Sequence, residues 1–150
     1  MKKFLPPIFL LVIIFSSFGL LALDMSEEEI IKGRKAIFEQ NYGIAKKMSK
    51  EIDSGNISNI QNLAIKMGEN YKNVINYFPE NTKSGYETEA LPSIWENKNT
   101  FNSLMEDDSN DAFKFSEILA GLTNSEMKDM QKKLIWGKCK NCHDQFRLPH

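Results

Sequence analysis

At 150 residues, with 41% hydrophobic and 26% charged side chains, the chain has the composition of one soluble globular domain plus any segment removed on maturation. A formal charge of −1, with no basic patch, argues against nucleic acid as a partner.

The N-terminus sets the compartment. Met1-Lys2-Lys3 is a short positive start, and Phe4 to Leu23 is apolar apart from Pro6, Pro7, Ser16, Ser17 and Gly19. Residues 1–23 therefore resemble a secretory signal peptide. Leu20-Leu21-Ala22 puts leucine, not a small residue, three before the cut. An uncleaved anchor stays open, because about 20 apolar residues span a bilayer, but the adjacent prolines favour cleavage. Either way residues 24–150 form one domain expected in the periplasm. Without Lys2 and Lys3 it carries 17 basic against 20 acidic residues, a charge of −3.

Four helical stretches follow. Ser26-Glu27-Glu28-Glu29 offers an N-cap serine, acids in the first turn and Glu29 at the capping-box position. Ile30, Ile37 and Ile44 then repeat every seven residues, as do Ile31, Phe38, Ala45 and Ile52, up to a stop at Gly55. In the second stretch Ile57, Ile60, Ala64, Met67, Tyr71, Val74 and Phe78 are spaced 3, 4, 3, 4, 3, 4 and end at Pro79, the seam of a helix packed lengthwise on others. Residues 79–92 read as the one long loop, functional or a crossover. Pro92-Ser93 opens a third helix with Ile94, Phe101, Met105, Ala112, Phe115 and Leu119 on one face, closing at Gly121. The polar run Glu106 to Asp111 has weak helix propensity and marks the expected place for a break. Asn124-Ser125 starts the last helix, with Met127, Met130, Leu134, Cys139, Cys142 and Phe146 inward and Pro149 at its finish. No stretch shows the period of a strand. The expected fold is all-α, an antiparallel four-helix bundle, where cofactors sit between facing helices.

Near the end of that last helix stands Cys139-Lys140-Asn141-Cys142-His143, a C-x-x-C-H of the kind that attaches c-type haem. Cys139 and Cys142, three apart, share a helix face and can form two thioethers to the vinyl groups of a single porphyrin. His143 then supplies the ordinary proximal ligand to iron. Zinc needs four ligands, and beyond these three only His150 remains. A thioredoxin-like C-x-x-C belongs in a βαβ pattern that this sequence lacks. A plain disulfide leaves His143 unexplained. Bacteria attach c-type haem outside the cytoplasm, so export and motif support each other, and the haem belongs inside the bundle.

Four segments resemble the cytochrome c' family of exported bacterial haem proteins: Arg34-Lys35-Ala36-Ile37-Phe38, Tyr77-Phe78-Pro79-Glu80, Pro92-Ser93-Ile94-Trp95 followed by Phe101, and Cys139-Lys140-Asn141-Cys142-His143-Asp144-Gln145-Phe146-Arg147. The last is the most specific. The resemblance implies a four-helix bundle holding one haem c. It implies that Arg34 lies beside a haem propionate and that Phe38 faces the iron on its distal side. Low-spin relatives carry methionine there, whereas leucine or phenylalanine leaves five-coordinate iron. Phenylalanine has no lone pair to donate. Met48 lies ten residues, or about 15 Å, further along the helix, and Met25 lies outside it.

The implied ligands are nitric oxide and, more weakly, carbon monoxide, because oxygen needs a hydrogen-bond donor that an apolar pocket lacks. In the family nitric oxide can displace the proximal histidine, and in some members it ends beside the arginine matching Arg147. Asn41, one turn after Phe38, has no assigned place, and pointing inward it would weaken the apolar argument. The family commonly pairs through its first two helices, so a homodimer that uses them, with Tyr42, is expected.

On periodicity alone these residues have plainer readings. Phe38 is a core position, Arg34 an exposed arginine with a buried stem, and Arg147 a cation favoured at a helix C-terminus. Trp95 is a core aromatic whose secondary role is contact with the haem edge, the methionines are packing, and His150 is a frayed end. Functionally, the leading expectation is a gas-binding cytochrome for nitric oxide capture, served by a periplasmic electron donor. The alternative is a six-coordinate periplasmic electron carrier. A peroxidase would need a distal acid–base group, which Phe38 does not supply, so the chain is not expected to be an enzyme.

Overall fold

A computed structural model describes residues 25–149. The signal-peptide segment and His150 lie outside the described residues.

Helix α1 (Glu27–Ser54) opens with the capping box expected from its sequence: Ser26 accepts from the Glu29 amide while the Glu29 side chain accepts from the Ser26 backbone. It closes at Gly55, whose φ of 71° sits in the left-handed region that glycine adopts without penalty. Helix α2 (Ile57–Val74) is capped by the Asn56 side chain and tightens into a 3-10 turn at Ile75–Tyr77. Its seam is buried as the spacing requires, with Ile60, Ala64, Met67, Val74 and Phe78 at 5% exposure or less.

The third stretch is broken, but not where its propensities are weakest. A one-turn helix α3 (Ser93–Glu96) stops at Asn97, and α4 (Lys98–Ile118) runs on through the polar run 106–111. Two contacts explain this. Trp95 is pinned by its Nε1, which donates to the carbonyls of Phe78 and Pro79, so the chain must bend beside it. Further along, buried Ser109 donates to the Gly68 carbonyl at 2.8 Å, which turns part of the polar run into a seam between α4 and α2.

Thr123 caps α5 (Asn124–Gln131) with a second capping box to Glu126. A π-turn over Lys132–Trp136 joins α5 to α6 (Gly137–Phe146). The Gly137 N–H reaches back five residues to Lys132. Such single-turn insertions add a residue to the helical phase and gather at functional sites, and here the insertion directly precedes Cys139.

The long helices form an all-α bundle: α2 packs on α1 and on α4, α1 on α5, and the π-turn and α6 on α4. Among the described residues no helix is long and apolar enough to cross a membrane. Two buried clusters fill the interior. One holds Met48, Ile52, Ile60, Phe115, Leu119 and Met127; the other holds Val74, Phe78, Trp95, Phe101, Met105 and Phe146.

The long loop is a strap. Gly85, Tyr86 and Glu87 follow one another at φ of 86°, 49° and 54°, a left-handed run that turns the chain sharply toward the C-terminus. Ala90 then pairs with Arg147 in an isolated antiparallel bridge, and the Leu148 amide donates to the Glu89 carbonyl at 2.8 Å. The segment that follows C-x-x-C-H is thus fastened to the loop between α2 and α3.

Candidate haem site

Between the two apolar clusters lies a cavity of about 520 Å³, walled by α1, α2, the strap, α4 and α6. That volume suits a sizeable cofactor. Helix α1 presents Arg34, Phe38, Asn41, Tyr42 and Ala45 to it, the positions that helical periodicity puts on one face. Helix α2 adds Met67 and Tyr71, and α6 adds Cys139, Cys142, His143 and Phe146. Of the residues singled out in the sequence, Arg34, Phe38, Cys139, Cys142, His143 and Arg147 meet in this one cavity. Trp95 does not line it. It stands a layer behind, its ring near the Arg34 guanidinium and edge-on to Phe78 at 5.9 Å.

Both thiols are free and half-buried. Burial, with Asp108 and Cys139 adding to it, pushes the Cys142 thiol up to about 12; burial and Asp108 raise Cys139 as well. Reactive redox thiols need the opposite, a lowered pKa beside positive charge, so this C-x-x-C is not built as a thioredoxin-like centre. Among the described residues no cluster of three or more histidine, cysteine or acidic side chains is placed to hold a metal ion. What remains is a pair of protonated thiols on one helix face beside a histidine and an apolar cavity.

A sequence model of the family described as "Cytochrome C'" matches residues 29–147. The chain belongs to the cytochrome c' family. It is 29% identical over 148 residues to the cytochrome c' of Rhodopseudomonas palustris, covering 91% of this chain and 90% of that one. A solved cytochrome c' from R. palustris superposes with a TM-score of 0.71 at 26% identity, over 83% of this chain and 98% of the other. A ferrous variant of Alcaligenes xylosoxidans cytochrome c', solved with bound NO, has a TM-score of 0.69 at 16% identity, over 83% and 98% of the two chains, a likeness of fold alone. The bundle read from the sequence is the cytochrome c' fold.

Members of this family bind haem c, and the residues of this cytochrome c' fit such a group. Its cavity joins the two cysteines and the histidine of the motif to apolar walls and to a buried cation. That cation is Arg34, 3% exposed, whose four hydrogen bonds all go to neutral carbonyl and hydroxyl oxygens. One terminal nitrogen donates to the Tyr77 carbonyl and the Thr82 hydroxyl; the other donates to the Thr82 carbonyl and the Thr88 hydroxyl. Four of its five N–H donors are therefore spent, three on the strap and one on the Tyr77 carbonyl at the end of α2, and Nε–H remains. Burial lowers its pKa to about 10, so the group stays charged at neutral pH. Arg34 thus fastens α1 to the loop and offers the cavity positive charge.

Arg147 is held by the strap from the other side. Its Nε and a terminal nitrogen both donate to Glu89 Oε2, at 2.9 and 2.8 Å. Two features escaped the sequence reading, and a third, Asn41, was noticed without being placed. Glu89 and Thr88 act from a loop without periodicity, so no spacing singled them out. Met67 and Tyr71 were seen as seam residues, yet both also reach the cavity. Asn41 is 3% exposed and does face inward; its place on the apolar face, three residues after Phe38, was the available signal.

Proposed function

We propose that this cytochrome c' holds one haem c through thioethers from Cys139 and Cys142, with His143 as the proximal ligand, and binds nitric oxide and carbon monoxide in the periplasm to capture nitric oxide. A physiological electron donor and pairing of two copies through α1 and α2 belong to the same proposal. Haem, when bound, supplies the iron that takes the gas. The chain's own residues do the rest: two thiols fix the cofactor's position, His143 offers an imidazole, Arg34 offers positive charge, and Phe38 excludes water and bulk from the α1 wall.

One observation carries the reading. Phe38 lines the cavity from α1, the helix that also brings Arg34 to it, and a phenyl ring has nothing to donate to a metal. Burial, with Asp108 and Cys139 adding to it, pushes the Tyr71 phenol strongly upward.

A second reading, a six-coordinate electron carrier, gains one specific support: Met67, a thioether at 1% exposure in the cavity wall. It is also part of the close-packed core beside Ile44 and Ala64, where filling space is the ordinary task of methionine. Optical spectra of the ferric and dithionite-reduced holoprotein, before and after nitric oxide, decide between the two. High-spin bands that change on adding the gas are expected. Low-spin bands that do not change would overturn the proposal, and their loss in Met67→Leu would assign the ligand.

A further inference from the structure

Besides Arg34, Arg147 and the strap, the cavity wall carries one more polar stretch, where Asn41 and Tyr71 line it side by side with apolar residues. Asn70, 6% exposed, donates through Nδ2 to Gln40 Oε1 and to Asn41 Oδ1, both at 2.8 Å. The two acceptors fix the Asn70 amide, and Asn70 in turn fixes which way the Asn41 amide points. The Asn41 oxygen is therefore turned toward α2, and its Nδ2 has no acceptor in hydrogen-bond geometry. Tyr71 lines the same cavity, and the upward shift that burial gives its phenol is partly opposed by the Asn41 side chain. Both side chains line the cavity that holds Phe38, Cys139 and Cys142.

An unpartnered buried N–H donor costs about 1–3 kcal/mol, and native proteins rarely keep one without a use. Here the use is visible in the order of these side chains. A phenol both accepts and donates. With an amide donor on one side, its own proton is left for an acceptor in the cavity, and burial keeps that proton in place.

We propose that Tyr71 and Asn41 form a hydrogen-bond donor pair in the cavity wall, holding a small ligand with an acceptor atom, such as nitric oxide or nitrite, beside Phe38. This deepens the gas-binding reading and rests on it. The pocket is thus not uniformly apolar: the ring of Phe38 limits size, and the donor pair sorts what enters by polarity. A ligand with an electron-rich end gains from the pair, and one without gains nothing.

The test uses the full haem-loaded protein with Tyr71→Phe and Asn41→Leu made singly. Carbon monoxide is the probe, because its C–O stretching frequency rises when a donor near its oxygen is lost. Each variant should shift the stretch upward and release carbon monoxide about fivefold faster, the worth of one ordinary hydrogen bond. The thermal midpoint of Asn41→Leu should fall by no more than the loss of one hydrogen bond explains, since the substitution removes an unpartnered Nδ2 together with one acceptor of the Asn70 amide. Tyr71→Phe keeps the ring and carries the test by itself if Asn41→Leu fails to fold. An unchanged stretch and release rate in Tyr71→Phe would overturn the inference and leave the gas-binding reading standing. The same unchanged stretch with weakened haem retention would assign the donors to the cofactor's own carboxylates, and would overturn it too. Failure of the unsubstituted protein to bind either gas would overturn both.

Discussion

Replacing Arg34 by methionine tests whether this arginine is a clamp as well as a charge. The side chain donates to four oxygens, but these do not suffer equally. The Thr82 hydroxyl keeps its bond to the Pro79 carbonyl, and the Thr88 hydroxyl keeps the Ala90 amide. The carbonyls of Tyr77 and Thr82 lose the arginine donor. Each buried carbonyl left without a partner costs about 1–3 kcal/mol, while relief from burying a cation returns part of that. The net loss is about 3 kcal/mol, equivalent to a fall of roughly 10 °C in the thermal midpoint for a domain of this size. Urea titration of the holoprotein measures it, and hydrogen exchange locates it: protection should fall first in residues 79–92. Arg34→Lys should recover less than half, because one ammonium with three donors cannot span four acceptors. A loss below about 1 kcal/mol, the worth of a single ordinary hydrogen bond, with unchanged protection in the loop, would refute the clamp.

Phe38→Ala should speed carbon monoxide entry without unfolding the protein, and Phe38→Met should give a low-spin spectrum; stopped-flow rates unchanged in Phe38→Ala would remove Phe38 from the ligand's path. Asp108 is 8% exposed, and burial lifts its carboxyl from the ordinary 3.8 to about 6 against the pull of Lys138. The folded protein therefore holds that proton more tightly than the unfolded chain. Its contribution to stability is greatest below pH 3.8 and falls as pH rises to about 6, by up to about 3 kcal/mol. Asp108→Asn should raise the thermal midpoint at neutral pH and flatten that slope; a midpoint unchanged at pH 7.5 would show the carboxylate to be well solvated. Within the strap, Glu87 at φ 54° should gain up to about 1 kcal/mol on substitution by glycine, and Gly85→Ala at φ 86° should lose a similar amount, both read by thermal melting.

What the sequence alone determined was local or periodic. The capping box at Ser26, the stop at Gly55 and the 3, 4 seam of α2 each need only neighbours within a turn or one repeated face, so they were legible residue by residue. C-x-x-C-H pointed to the cofactor for the same reason: the two cysteines and the histidine lie within five residues. The pairing of Arg34 with Phe38 came from the family resemblance instead; periodicity adds only that four residues on a helix share a face.

Tertiary structure decided whatever joins distant segments. The third stretch bends at Asn97 because Trp95 is tied to carbonyls of the α2 end; the weak propensity of residues 106–111 is overridden by the Ser109 bond to Gly68. Trp95 backs the cavity instead of lining it, since its indole N–H has partners outside. The strap reaches Arg147 through Glu89 across 58 residues of chain, and no spacing encodes that. Asn41 was read as a lone polar group on an apolar face; only the packing of α2 against α1 supplies Asn70 to turn its oxygen and Tyr71 to stand by its nitrogen. Periodicity tells which side of a helix is buried, but it does not tell which buried donor meets which acceptor. That pairing depends on how helices are set against one another, and it determines what the cavity can hold.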